Sequence, residues 1–296
     1  VISVILPSRN GADTLPDVLA ALENLAAPRD GYEILLVDSA SDDDITSAML
    51  RDFAHRHERA SLITEPVAGK SRALNRAIEQ AQGELLVFLD DDMVVAPHWL
   101  LEYTAAAERH SAAGLFAGAI LPRWRSPPSA WLAGLAAEGR SCGATPASTP
   151  EGPCRPQLLK GGNFAIRRKT LGAHRFGGGG ADFGSPGAMG GEDTDLATRA
   201  VTSGAVLVFV PQAVAEHIVQ PEEMTPAAVF ARYRRIGGSQ SVRRPRLIAA
   251  IADSLAVALF GTAAAGNFLI GRRVAAARNL TRLASRSGRL GSLLRP

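Results

Sequence analysis

Residues 85–89, Leu-Leu-Val-Phe-Leu, form a continuous apolar run that stops at Asp90-Asp91-Asp92. A short uninterrupted run of this kind is the pattern of a strand covered on both faces, as in a parallel sheet flanked by helices. Such a strand delivers three carboxylates to the loop at its carboxyl end. Like charges a few ångströms apart resist joint ionisation and hard divalent cations prefer oxygen ligands, so the triplet reads as a metal site in preference to a solvated acidic turn. Magnesium or manganese held by one or two carboxylates completes its shell with water and substrate phosphates, which points to a phosphorylated ligand.

The preceding residues supply the sheet that this strand requires. Residues 2–6, 32–37 and 62–64 read as strands, with helices expected over 14–25, 45–57 and 70–80. Four strands alternating with helices imply right-handed crossovers and an α/β fold: a Rossmann-like, doubly wound, mainly parallel sheet with helices on both faces. Ligands of such sheets bind beyond the carboxyl ends of the strands, where the chain places Ser8, Arg9, Asp38 and the Asp triplet. No Gly-x-Gly-x-x-Gly follows the first strand, which argues against a dinucleotide cofactor. An Asp ending the second strand suits the ribose or base of a nucleotide donor, or else caps its own turn.

Beyond residue 97 a helix to 109 and a strand over 115–120 extend the sheet. Residues 122–156, rich in Pro, Gly, Ser and Thr, read as a long loop or insertion around a short apolar piece at 131–137. Strand-like order returns over 160–167 behind Gly161-Gly162, a pair that suits backbone set close to a ligand. A glycine link is expected over 177–180. Glu192, Asp193 and Asp195 open a helix, where acidic residues stabilise a first turn; behind the glycines of 190–191, one of them also suits a general base facing the crevice. A strand over 205–210 precedes His217, which reads as a surface or core histidine or as a metal ligand.

At 296 residues the chain accommodates one large α/β domain with an appendage, and its charge is uneven although the net is only +3. Acidic residues crowd 38–92, whereas arginines dominate after 230. That basic end suits a phosphorylated substrate or anionic lipid; its scarcity of aromatics disfavours nucleic acid. Cys142 and Cys154 lack the four-ligand pattern of a zinc site and read as free thiols. With the first strand starting at residue 2, no secretory signal is expected and the expected location is cytoplasmic.

Five segments occur in order: Ser3-Val4-Ile5-Leu6-Pro7-Ser8-Arg9-Asn10, residues 33–43 (EILLVDSASDD), the Asp triplet, Gly161-Gly162-Asn163 and Gly191-Glu192-Asp193. On these the chain up to about residue 240 resembles a family 2 glycosyltransferase of the GT-A fold. The resemblance implies a GT-A catalytic domain over 1–240 and a helical tail over 241–296. It implies inverting, metal-dependent transfer of a hexose-type sugar from a nucleotide-diphosphate sugar to a hydroxyl acceptor, in glycan, glycolipid or polysaccharide biosynthesis of the cell envelope. On the donor side, Pro7, Arg9 and Asp38 would flank the nucleotide base. Lys70 and Arg72 would meet the nucleotide, while Asp90 and Asp91 would contact the donor. Asp92 would hold Mn²⁺ or Mg²⁺ with His217 as second ligand. Asp193 would be the catalytic base, with Gly162, Asn163 and Glu192 on the acceptor side. Two alternatives are a haloacid-dehalogenase-like phosphatase, whose nucleophile loop also follows a strand, and a nucleotide-sugar-binding regulator without catalysis.

The tail carries an apolar run, 247–271, bracketed by Arg232, Arg234, Arg235, Arg243, Arg244 and Arg246 before it and by Arg272, Arg273, Arg278, Arg282, Arg286 and Arg289 after it. Either it packs as a helical hairpin or it meets a membrane. Asp253 and Asn267 argue against a span, since a carboxylate within hydrocarbon costs about 2.5 kcal/mol or more. The expectation is peripheral contact with the inner face of the cell membrane, with a lipid-linked or membrane-proximal acceptor.

Overall fold

The computed structural model describes residues 1–177, 191–239 and 246–293. Most of the expected glycine link at 177–180, together with Gly190, Arg243 and Arg244, lies outside the described residues. These residues fall into two compact units. One takes the described residues within 1–121, 148–186 and 192–218; the other takes 122–147, Gly191 and those within 219–296. By compactness the chain changes unit at 218/219 as well as around 122–147, and the loop expected over 122–156 is divided between the units.

In chain order the first unit begins β1 (Ile2–Ser8), α1 (Leu15–Glu23), β2 (Tyr32–Ser39), α2 (Asp44–Arg56), β3 (Ala60–Glu65), α3 (Lys70–Gln80) and β4 (Leu85–Leu89). It continues with β5 (Met93–Val95), α4 (Trp99–Arg109) and β6 (Ala113–Trp124), whose last residues enter the second unit with α5 (Ala130–Ala137). Next come β7 (Gly152–Pro153), β8 (Asn163–Arg167), α6 (Arg168–Leu171), α7 (Glu192–Thr202) and β9 (Val206–Val219). Three helices complete the second unit: α8 (Pro226–Ser239), α9 (Arg246–Leu269) and α10 (Arg273–Leu293).

Local signals account for these elements. Pro16 sits in the first turn of α1, where its missing N–H is harmless, and Asp43 caps α2 by accepting the Thr46 N–H at 2.5 Å. On α3, Ala73, Leu74, Ala77 and Ile78 recur at helical spacing and are buried. Alternate strand residues feed two cores, one on each face of the sheet. Val4, Leu6, Ile34 and Leu36 pack with α1, α2 and α4, whereas Ile5, Leu35 and Val37 pack with α3 and α7.

The strand order is β3-β2-β1-β4-β8-β6-β9-β5, with β7 on the edge of β9. The first four strands are parallel, as expected. The far half is not: β8 runs antiparallel to β4, β6 to β8 and β5 to β9. The expected strand over 205–210 continues past Pro211 to Val219, and this length carries His217 within the strand, opposite Met93.

The second unit is built differently. A small apolar cluster joins Leu132, Cys142, Val219 and Val229 under Trp131 and Tyr233. Elsewhere its helices meet through small residues. A side chain on Gly237 would strike the Ser285 backbone, one on Gly288 would strike that of Arg234, and Ala249, Ala264, Ala276, Ala277 and Ala284 fill the interior. Asp253, fully buried, accepts from Arg286 Nη1 at 2.8 Å and from Arg289 Nε at 2.6 Å.

Candidate active site

β1, β2 and β4 end side by side, and their loops line a cleft of about 380 Å³. Pro7 and Ser8 end β1 and Arg9 and Asn10 follow it, Ser39 ends β2, and Ala68, Gly69 and Lys70 lead into α3. Asp90, Asp91 and Asp92 close the cleft from β4. At its rim Arg9 donates through Nε to the Ala40 carbonyl at 3.1 Å and pairs through Nη2 with Asp42 at 2.8 Å. The Gly69 N–H donates to Ser39 Oγ at 3.2 Å, tying the α3 turn to β2. Ser8 Oγ donates to Asp91 Oδ2 at 2.5 Å, and a Cβ on Gly11 would crowd both atoms, so the turn after β1 needs glycine to close on this bond. Burial, with the charge of Asp92 next, pushes the Asp91 carboxyl up to about 7.

A second group of charges centres on Lys70. Its Nζ lies 2.7 Å from Asp90 Oδ1 and 3.7 Å from Glu192 Oε1. Burial opposes the ammonium, but Asp90, Asp193 and Glu192 together outweigh it and hold its pKa well above the ordinary lysine value. Asp193, in the first turn of α7, is buried, and its Oδ1 has no hydrogen-bond partner among the described residues. Burial raises its carboxyl to about 7, with Lys70 pulling the other way and Glu192 and Asp90 adding to the rise. A carboxylate poised near neutrality with an acceptor oxygen that no hydrogen bond claims is equipped to take a proton.

Strand pairing makes the third feature. β5 follows the Asp triplet and pairs with β9, and the Ile218 N–H donates to the Asp92 carbonyl at 2.8 Å. His217 Nε2 thereby stands 3.1 Å from Asp92 Oδ2. Among the described residues no three His, Cys, Asp or Glu side chains form a metal-holding group. One carboxylate oxygen beside one imidazole nitrogen still fits Mn²⁺ or Mg²⁺ that draws its remaining ligands from water and a diphosphate.

Of the residues expected at the site, Pro7, Arg9, Lys70, Asp90, Asp91 and Asp92 line the cleft. Glu192 and Asp193 stand at Lys70, and His217 at Asp92. Four are placed otherwise. Asp38 is no part of the cleft wall, because its carboxylate accepts the Ser41 N–H at 3.0 Å and the Ser47 hydroxyl at 2.5 Å and so caps its own loop. Arg72 is exposed on α3 outside the cleft lining. Asn163 has no capacity left for an acceptor: Oδ1 accepts from Trp99 Nε1 and Tyr103 OH, and Nδ2 donates to the carbonyls of Ala119 and Ala213. Gly162 packs on Met93, with no room for a side chain. Its neighbour Gly161, the other half of the expected glycine pair, faces Asp193 instead: any side chain there would collide with the Asp193 carboxylate, a contact with no sign in the sequence.

Comparison with known proteins gives a consistent picture. Residues 3–140 match the family model described as Glycosyl transferase family 2. Glycosyltransferase AglE of Haloferax volcanii is 35% identical over 100 residues, 33% of this chain and 33% of that protein. Poly(ribitol-phosphate) beta-glucosyltransferase of Bacillus spizizenii is 31% identical over 104 residues, 34% of this chain and 16% of the relative. The chain thus spans a third or less of the length of these two relatives. Among solved structures, the mannosyltransferase PcManGT from Pyrobaculum calidifontis, in complex with GDP-Man and Mn²⁺, superimposes with a TM-score of 0.62 at 22% identity, covering 97% of this chain and 86% of that one. That likeness speaks for the fold. The Asp triplet lies inside the matched segment and follows the fourth strand, not the first, which sets the phosphatase alternative aside.

Proposed function

Residues 3–140 make the chain a member of glycosyl transferase family 2, and on that premise we propose that it moves a sugar from a nucleotide-diphosphate donor to a hydroxyl acceptor, with inversion and with a divalent cation. The observation that carries this reading is Asp193, a buried carboxylate raised to about 7 whose Oδ1 has no hydrogen-bond partner among the described residues, held among the charges around Lys70 beside the cleft. In this role Asp193 takes the proton of the acceptor hydroxyl as its oxygen attacks the anomeric carbon. A single displacement of this kind inverts that carbon. Lys70 fixes Asp90 at the donor side and keeps Asp193 partly ionised at neutral pH. Pro7, Arg9, Asn10 and Gly69 shape the space for the nucleotide. Asp92 and His217 would hold the cation, which when bound supplies neutralising charge for a departing diphosphate. A regulator without turnover would have no use for an acceptor carboxylate tuned to neutrality.

A screen of nucleotide-diphosphate sugars with manganese, read by thermal shift and then by transfer, tests this. EDTA should abolish transfer and manganese or magnesium should restore it. Asp92→Ala should lose more activity than His217→Ala. Full activity in chelator would remove the cation from the reading, and a product of retained anomeric configuration would remove the single displacement.

A further inference from the structure

α9 wears its apolar side chains outward. The side facing α10 carries Asp253, Ala264 and the half-buried Asn267, whereas Leu255, Leu259, Phe268 and Leu269 are 68%, 64%, 66% and 83% exposed. Ile270, in the turn that follows, is 66% exposed, and Arg272 and Arg273 come next with no carboxylate paired to either among the described residues. In water this arrangement is inverted, because large apolar groups gain by burial while Ala and Gly gain little. The stretch Ala252–Leu269 has a mean hydropathy of 1.3. Apart from Phe260, which lies under the Arg282 guanidinium, α9 meets α10 through small residues and leaves Leu255, Leu259, Phe268 and Leu269 outside, the arrangement found where the surroundings are themselves apolar.

Charge identifies the surroundings. Residues 226–296 hold thirteen Arg, no Lys, no Glu and a single Asp, and that Asp is already engaged by Arg286 and Arg289. Two copies of so basic a surface repel each other, which disfavours self-association through this face. A full span fails on α10: it packs along α9 and would take its own arginines into hydrocarbon at about 2.5–3.5 kcal/mol each. A helix with one apolar face and arginines beside it instead lies in the plane of a bilayer surface. We propose that the outer face of α9 and the Phe268–Arg273 turn seat on an anionic lipid surface, with Leu269 and Ile270 in the interface and Arg272 and Arg273 at the headgroup phosphates. Asp253, an obstacle to membrane contact when read from sequence, is consistent with this because it points away from the seated face.

Flotation of the full chain with vesicles of phosphatidylcholine, or of an equal mixture with phosphatidylglycerol, at low and high salt tests the proposal. Binding should require phosphatidylglycerol and fall as salt rises. The double variant Leu269→Glu, Ile270→Glu should abolish it, and Arg272→Gln with Arg273→Gln should lower partitioning by about thirtyfold. All four positions are exposed, so circular dichroism and the thermal midpoint should match the parent protein. Phe268→Trp should add fluorescence that brominated lipid quenches. Absence of binding to the mixed vesicles, or binding indifferent to both double variants, would overturn the proposal. A dimer in sedimentation velocity that Leu269→Glu, Ile270→Glu dissociates would assign the face to a second copy instead.

Discussion

Both units of this protein bury carboxylates, but they do opposite things with them. Asp253 sits at zero exposure with two arginines on its oxygens, so its charge is answered inside the helical unit. Asp193 is nearly as buried, yet one oxygen lacks a hydrogen-bond partner among the described residues and the ammonium that favours its charge, Lys70, is shared with Asp90 and Glu192. An ionised group left part-satisfied is costly to fold around. It is tolerated where chemistry needs an acceptor that has not already been claimed. The contrast separates a carboxylate that holds structure from one that is held ready.

The sharpest way to break the contrast is to neutralise each group without changing its shape. Asp193→Asn cannot accept a proton, so turnover should fall by about two to four orders of magnitude, while nucleotide affinity stays near that of the parent. Stability should not fall with it. Burial raises the folded pKa of Asp193 to about 7 against an ordinary 3.8, so ionisation weakens the fold as pH rises between those values, and Asn removes that term. A variant that keeps more than a tenth of parental turnover would take Asp193 out of the role. Gly161→Ala sharpens the same point from the backbone side. Its added methyl meets the Asp193 carboxylate and must displace it, so kcat should fall by about 10²-fold with the unfolding midpoint little changed. An unchanged kcat would mean that the position of Asp193 does not matter.

Asp253→Asn should show the reverse. Arg286 and Arg289 are partly exposed and can rehydrate, so the loss should be about 1–3 kcal/mol of stability, less than for a wholly buried pair. Urea unfolding measures the stability and initial rates measure activity. Turnover of the folded fraction should hold. If Asp253→Asn lost turnover at unchanged stability, the two carboxylates would not differ in kind.

Legibility in the sequence followed how local each determinant is. α3 and β4 have the bounds that their patterns predict, since Ala73, Leu74, Ala77 and Ile78 mark a helix face and Leu85–Leu89 ends against charge. The Asp triplet and the acidic start of α7 were legible for the same reason. Strand direction was not, because β8, β6 and β9 are apolar whichever way they run, and the strand expected over 205–210 continues past Pro211 to Val219. Asn163 looked like a site residue behind two glycines, but its partners Trp99, Tyr103, Ala119 and Ala213 are distant in sequence. The arginines that answer Asp253 lie 33 and 36 residues further along, so its burial read as an isolated penalty. The helix Ala130–Ala137 was hidden by the Pro and Gly around it and has almost no amphipathic pattern to betray it.

The smallest expected effect isolates Lys70. If Asp193 must be ionised to act, kcat/KM should rise with pH along a limb with an apparent pKa of about 7 and then level off. Lys70 supplies the positive charge that pulls that value down against burial, Glu192 and Asp90. Lys70→Met removes the pull and leaves three carboxylates to repel one another, so the limb should move to higher pH, while Lys70→Arg keeps the charge and should leave it nearly in place. The plateau of Lys70→Met should also drop, since Asp90 loses the ammonium 2.7 Å from its oxygen. A limb that Lys70→Met leaves where it was would belong to another group, such as the donor phosphates, and Lys70 would then serve only to position Asp90.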